Sequence, residues 1–129
     1  MSTFYSIAEI AQKLGITAHT LRYYERIGLI DHVNRAGNSH RRYTQDDVRW
    51  LVFLQRLRST KMSIKQMQRY ATLRRAGNHV ESLMERRAML TEHARYLHAE
   101  LILLQETLVV LDDKVNLYTE LERDAINKG

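Results

Sequence analysis

Apolar residues recur at helical spacing in five stretches of the chain, and most stretches open on a short polar side chain able to cap a helix. Ser6 with Glu9, Thr44 with Asp47, Ser63 with Gln66 and Asn78 with Glu81 have the three-residue spacing of reciprocal caps, the Ser6 and Ser63 pairs being strict capping boxes. Thr17 supplies a simpler cap. Gly15, Gly28 and Gly77 each follow an amphipathic stretch and mark stops, because glycine takes the left-handed conformation that closes a helix. The pattern predicts helices over 6–14, 17–27, 45–60, 63–76 and 79–122.

The last of these carries the strongest periodicity. Val80, Arg87, Ala94, Leu101, Leu108 and Val115 recur every seven residues, and Leu83, Leu90, Leu97, Leu104, Leu111 and Tyr118 follow three positions behind. This is a coiled-coil seam of nearly six heptads. A helix from Val80 to Tyr118 is about 58 Å long at ~1.5 Å per residue, too long to fold back on a small head, so the seam needs a second copy of the chain. Arg87 reads as a snorkelling or paired side chain that fixes register. A second apolar stripe, Ile102, Leu103, Val109, Val110 and Leu117, lies outside the seam and is expected to pack on something further.

The first two helices are short, amphipathic and separated only by Gly15-Ile16. Ile7, Ile10, Ala11 and Leu14 on one face Leu21 and Ile27 on the other, and so tight a connection forces a steep crossing, as in a helix-turn-helix. The second helix then presents Ala18, His19 and Arg22 near its N-terminal end, where an arginine can pair with guanine and a small residue permits close approach. Tyr23 is placed for a phosphate, while Tyr24 falls on the inward side with Leu21 and Ile27. Between the second and third helices, two short extended pieces flank Ala36-Gly37-Asn38-Ser39, the pattern of a small β-hairpin with cationic flanks. A charged surface loop fits those residues as well.

Charge sharpens the picture. The net charge of +5 is divided unevenly: residues 1–78 hold 14 Lys and Arg against 5 Asp and Glu, a net of +9, whereas 79–129 hold 6 against 10, a net of −4. A phosphate-binding head on a non-binding tail has this asymmetry. The chain has no cysteine, which excludes disulfides, thiolate metal sites and thiol redox sensing. No apolar run reaches the roughly 18 residues of a membrane span and no signal segment opens the chain, so a cytoplasmic protein with no membrane partner is expected. With no proline and 5 glycines, a chain helical almost throughout follows.

Enzymatic chemistry has no foothold: no nucleophile–base pair, glycine-rich phosphate loop or carboxylate constellation stands out. His93 and His98, five apart on one helix, lie roughly 140° around its axis and cannot share a metal, and His32 and His79 carry no pattern. Neither a cofactor nor a metal is therefore expected. Trp50, Met67, Tyr70, Met89 and Tyr96 could line a pocket, but at helical spacing they read first as core. The effector, if there is one, is unknown from the sequence.

The strings Ser6-Ile7-Ala8-Glu9-Ile10-Ala11, Thr20-Leu21-Arg22-Tyr23-Tyr24-Glu25-Arg26-Ile27-Gly28-Leu29-Ile30 and Arg41-Arg42-Tyr43-Thr44 resemble the MerR family of bacterial regulators over the whole chain. The resemblance implies a winged head in which Thr17, His19, Arg22 and Tyr23 face an operator. It also implies that Arg35, His40, Arg41, Arg42 and Tyr43 of the wing touch backbone or minor groove, and that Lys61 approaches a phosphate. It implies an antiparallel coiled coil that spaces two heads on a two-fold site in double-stranded DNA. RNA polymerase is then engaged indirectly, through a promoter whose long spacer the dimer bends and untwists. An aldehyde-responsive subgroup that this chain looks similar to carries a reactive cysteine where Arg56 stands here.

Together these readings predict a mainly α protein, a winged helix-turn-helix head over 1–77, a coiled-coil dimerisation helix over 78–122 and a flexible tail over 123–129. The expected function is sequence-specific transcriptional regulation as a homodimer responding to a small effector. The alternative is a coiled-coil adaptor whose basic head binds protein.

Overall fold

The computed structural model describes residues 4–31 and 43–129. The hairpin expected between the second and third helices lies outside the described residues. Five helices follow in order: α1 Ile7–Leu14, α2 Ala18–Arg26, α3 Gln45–Ser59, α4 Ile64–Ala76 and α5 Val80–Lys128. The chain divides into two units, Met1–Met89 and Leu90–Gly129.

Local chemistry sets the helix starts. Ser6 Oγ accepts from the Glu9 N–H at 3.1 Å and the Glu9 carboxylate accepts from the Ser6 N–H at 3.0 Å. Those hydrogen bonds from Ser6, the backbone one foremost, hold the Glu9 carboxyl below its ordinary range. The box is therefore complete at neutral pH and loosens only when acid carries past that lowered value. Thr44 and Asp47 close a second full box although aspartate is shorter than the usual glutamate, and Ser63 and Gln66 close a third. After α1, Gly15 takes φ 68°, a conformation that costs a residue with a Cβ roughly 1–2 kcal/mol, and its N–H reaches the Ala11 carbonyl.

Two boundaries differ from expectation. The Asn78 side chain does not open α5, which begins at Val80. Its Oδ1 instead accepts from Arg86 Nη2 at 2.8 Å, and the same guanidinium donates to the Gly77 carbonyl at 3.1 Å. At the other end the helix runs on to Lys128 rather than stopping at 122, so residues 123–128 are helical where a tail was expected. No glycine or proline interrupts them, and Arg123, Ala125 and Lys128 are good helix formers.

In the first unit Ile10, Leu21, Tyr24, Leu29, Tyr43, Leu51, Leu54 and Met67 are almost wholly shielded from solvent and make up its core. Each fully buried aliphatic side chain of this kind contributes about 1.5–3 kcal/mol. Trp50, aligned with the Tyr70 ring at 5.8 Å and covered by the Arg74 guanidinium at 4.6 Å, is core too, as is Met67. Near the start of α5, Ser82 is buried and donates its hydroxyl to the Leu73 carbonyl at 2.6 Å. Arg69 and Glu85 form a two-pronged pair at 2.6 and 2.8 Å. That pairing with Arg69 lowers the Glu85 carboxyl and raises the guanidinium. The attraction is present at neutral pH and fades in acid.

Tyr43 corrects an expectation. Assigned to the wing as a DNA contact, it is fully buried. Its N–H and carbonyl each pair with Tyr5 at 2.8 Å in an antiparallel bridge, which ties the chain ahead of α1 to the chain ahead of α3 and commits the ring to the core.

Candidate nucleic-acid interface

Helix α2 is short, and its two sides differ sharply. Leu21 and Tyr24, three apart, are buried; His19, Arg22 and Arg26 fall on the opposite side and are exposed. Ala18 and Tyr23 are half-buried at the margin, with the Arg26 guanidinium over the Tyr23 ring at 5.6 Å. Thr17, exposed, opens the helix: its Oγ1 accepts from the Thr20 N–H at 3.0 Å and lies 2.9 Å from the Thr20 hydroxyl. The N-cap and first two turns of α2 thus carry Thr17, Ala18, His19, Arg22 and Tyr23, with Thr17, His19 and Arg22 exposed. Arg35, His40, Arg41 and Arg42 lie outside the described residues.

How α2 is held was not visible in the sequence. Three successive carbonyls just past its end are captured by side chains of α3 and α4. Gln68 Nε2 donates to Ile27 at 2.8 Å, Arg75 Nη1 to Gly28 at 3.0 Å and Trp50 Nε1 to Leu29 at 2.8 Å. Gln55 Nε2 donates to the Leu14 carbonyl at 3.1 Å and holds the end of α1 in the same way. Each hydrogen bond adds about 1 kcal/mol, and together they fix the angle at which the exposed face of α2 is presented. Arg58 donates to the hydroxyl of buried Tyr24.

Lys61, between α3 and α4, is exposed and sits at φ 72°, alone among the described non-glycine residues in having positive φ. A side chain there costs roughly 1–2 kcal/mol, partly offset because glycine loses more chain entropy on folding. Retaining lysine at a position suited to glycine fits a need for its charge. Lys61→Gly is expected to leave the melting temperature unchanged or a few degrees higher while weakening DNA binding several-fold. A stabilised variant that binds DNA as well as the parent would remove Lys61 from the interface.

The seam residues are open in the single chain. Val80, Leu83, Ala94, Leu101, Leu104, Leu108, Leu111, Val115 and Tyr118 are exposed, with Leu90 and Leu97 half-exposed. The second stripe, Ile102, Leu103, Val109, Val110 and Leu117, is exposed as well. Arg56 is exposed on α3. Among the described residues no helix is long and apolar enough to cross a membrane.

A two-helix reading motif braced by α3 and α4, followed by a long heptad-bearing helix, defines a helix-turn-helix regulator. The pattern of MerR HTH family regulatory proteins matches residues 5–73. An HTH-type transcriptional regulator of Haemophilus influenzae is 33% identical over 114 residues, 88% of this chain and 83% of its own. HiNmlR, a MerR family regulator lacking the sensor domain and crystallised with promoter DNA, superposes with a TM-score of 0.83 at 32% identity over 92% of both chains. A MerR family transcriptional regulator from Listeria monocytogenes gives 0.81 at 31% identity, covering 97% of this chain and 99% of the other. The chain belongs to the MerR family of transcriptional regulators.

Proposed function

We propose that the protein works in the cytoplasm as a homodimer on two-fold promoter DNA, distorting it in response to a small effector, and is not an enzyme. The observation that carries this is the exposed face of α2, where His19 and Arg22 stand clear of the core beside the capped turn at Thr17. Residues 1–77 act as the reading head, and the helix beyond residue 78 pairs two copies. The likeness to HiNmlR, a MerR family regulator bound to promoter DNA, supports the DNA target. With no cysteine in the chain, the effector acts without thiol chemistry.

The test is binding to the DNA immediately upstream of the protein's own gene against random DNA of equal length at physiological salt. A specific site should bind at least about a thousandfold tighter. Equal affinity for the two would remove the operator reading.

A further inference from the structure

Beside the reading face lies a groove of about 600 Å³ lined by Gly15, Ile16, Thr17, Thr20, Tyr24, Gln55, Arg58 and Ser59. Its chemistry is one-sided: a guanidinium, several hydroxyls and an amide, with no carboxylate among the described lining residues. We propose that this groove seats a backbone phosphate of the operator, with Arg58 as the contacting cation and Tyr24 as its positioning residue. The inference rests on the operator-binding reading above.

Arg58 is exposed on the last turn of α3, yet its geometry is restrained. One Nη1 hydrogen bond goes to the Tyr24 hydroxyl, and the guanidinium carbon lies 5.6 Å from the Tyr24 ring centroid. Tyr24 is itself buried, so its hydroxyl is a fixed anchor. Arg58 lines the groove with its guanidinium already restrained by Tyr24, which lowers the ordering cost of binding. A planar fork of donors matches the oxygens of a phosphate better than a point charge does. Thr17 and Thr20 bring a linked pair of hydroxyls from the α2 wall, whereas the Ser59 hydroxyl is spent on the Arg56 carbonyl, and backbone phosphate contacts use this mixture of arginine and hydroxyl groups.

Placement favours DNA over a free anion. One wall is the first turn of α2, shared with the reading face through Thr17; the other wall ends two residues before Lys61. A duplex lying against His19 and Arg22 carries its backbone along those borders, and an open groove suits a polymer better than an enclosed small ligand.

Arg58→Gln tests the proposal, since glutamine removes the charge while keeping a donor for the Tyr24 hydroxyl. Operator affinity should fall about tenfold to a hundredfold, equally on operators with single base changes. The slope of log affinity against log salt should shrink by about 0.9 for each of two grooves. Tyr24→Phe should weaken binding by a smaller factor with melting temperature and salt slope unchanged, and should add nothing in the Arg58→Gln background. An unchanged affinity and slope in Arg58→Gln, or a loss confined to particular base pairs, would overturn the proposal. Saturable binding of inorganic phosphate that Arg58→Gln abolishes, with operator affinity and salt slope unchanged, would likewise overturn it and make the groove a free-anion site. Arg22→Ala on the same fragment separates the two ideas. If it loses discrimination while Arg58→Gln binds normally, only the groove assignment falls; if neither variant has any effect, the operator reading falls with it.

Discussion

Arg22→Ala should remove operator discrimination while leaving the fold and the oligomeric state untouched. Arg22 is exposed on α2, one residue past buried Leu21 and two before buried Tyr24, so truncating it takes nothing from the core. A bidentate arginine–guanine pair is worth ~1–3 kcal/mol of discrimination, and a two-fold operator presents it twice. Specific affinity should therefore fall between roughly thirtyfold and ten-thousandfold. Affinity for random DNA should fall much less, because the charge lost is one among many per head. Titration of operator and scrambled duplexes at one salt concentration measures both, with circular dichroism to confirm the helices. A variant with undiminished preference for the operator would show that α2 reads no base through Arg22 and would move recognition elsewhere.

Much of this was legible because it is written in local chemistry. Ser6, Thr17, Thr44 and Ser63 mark helix starts to within a residue, since a cap and the N–H it satisfies are only three positions apart. The outward placement of His19 and Arg22 follows from the same helical period that turns Leu21 and Tyr24 inward. What escaped was decided at long range. Asn78 has the spacing of a cap, but its oxygen is taken by Arg86, eight residues on. Tyr43 carries the resemblance to a wing residue, yet its pairing with Tyr5, far back in the chain, settles its burial. The donors that hold α2, namely Trp50, Gln68 and Arg75, sit 21 to 47 residues from the carbonyls they satisfy, and Arg58 sits 34 from Tyr24. No periodicity announces such pairs. The continuation of α5 past Glu122 was missed for a different reason: the heptad signal ends near Tyr118, whereas helicity needs only good formers and no breaker.

The pair Leu104→Lys and Leu111→Lys, made together, should turn the protein into a monomer. Both leucines lie in the seam, and in the single chain they are 59% and 53% exposed, so the isolated chain offers them no shelter. Moving each from water into a dimer seam contributes about 1.5 kcal/mol or more, and a lysine in its place adds the cost of withdrawing charge from water. With two copies of each change per dimer, the dissociation constant should rise by at least about three orders of magnitude. Lysine is nearly as good a helix former as leucine, so the helix itself should survive and circular dichroism should change little. Sedimentation at micromolar concentration reads the outcome, and Glu106→Lys, off the seam on the same helix, is the control expected to stay dimeric. Operator binding should weaken with dimerisation, since a monomer binds each half-site independently and loses the effective concentration that a linked second head supplies. A double variant that remains dimeric would place the contact on the other apolar stripe, through Ile102, Leu103, Val109, Val110 and Leu117. In that case the seven-residue repeat would not be what joins two copies, and the spacing of the two reading helices would have to be set by a different face of α5.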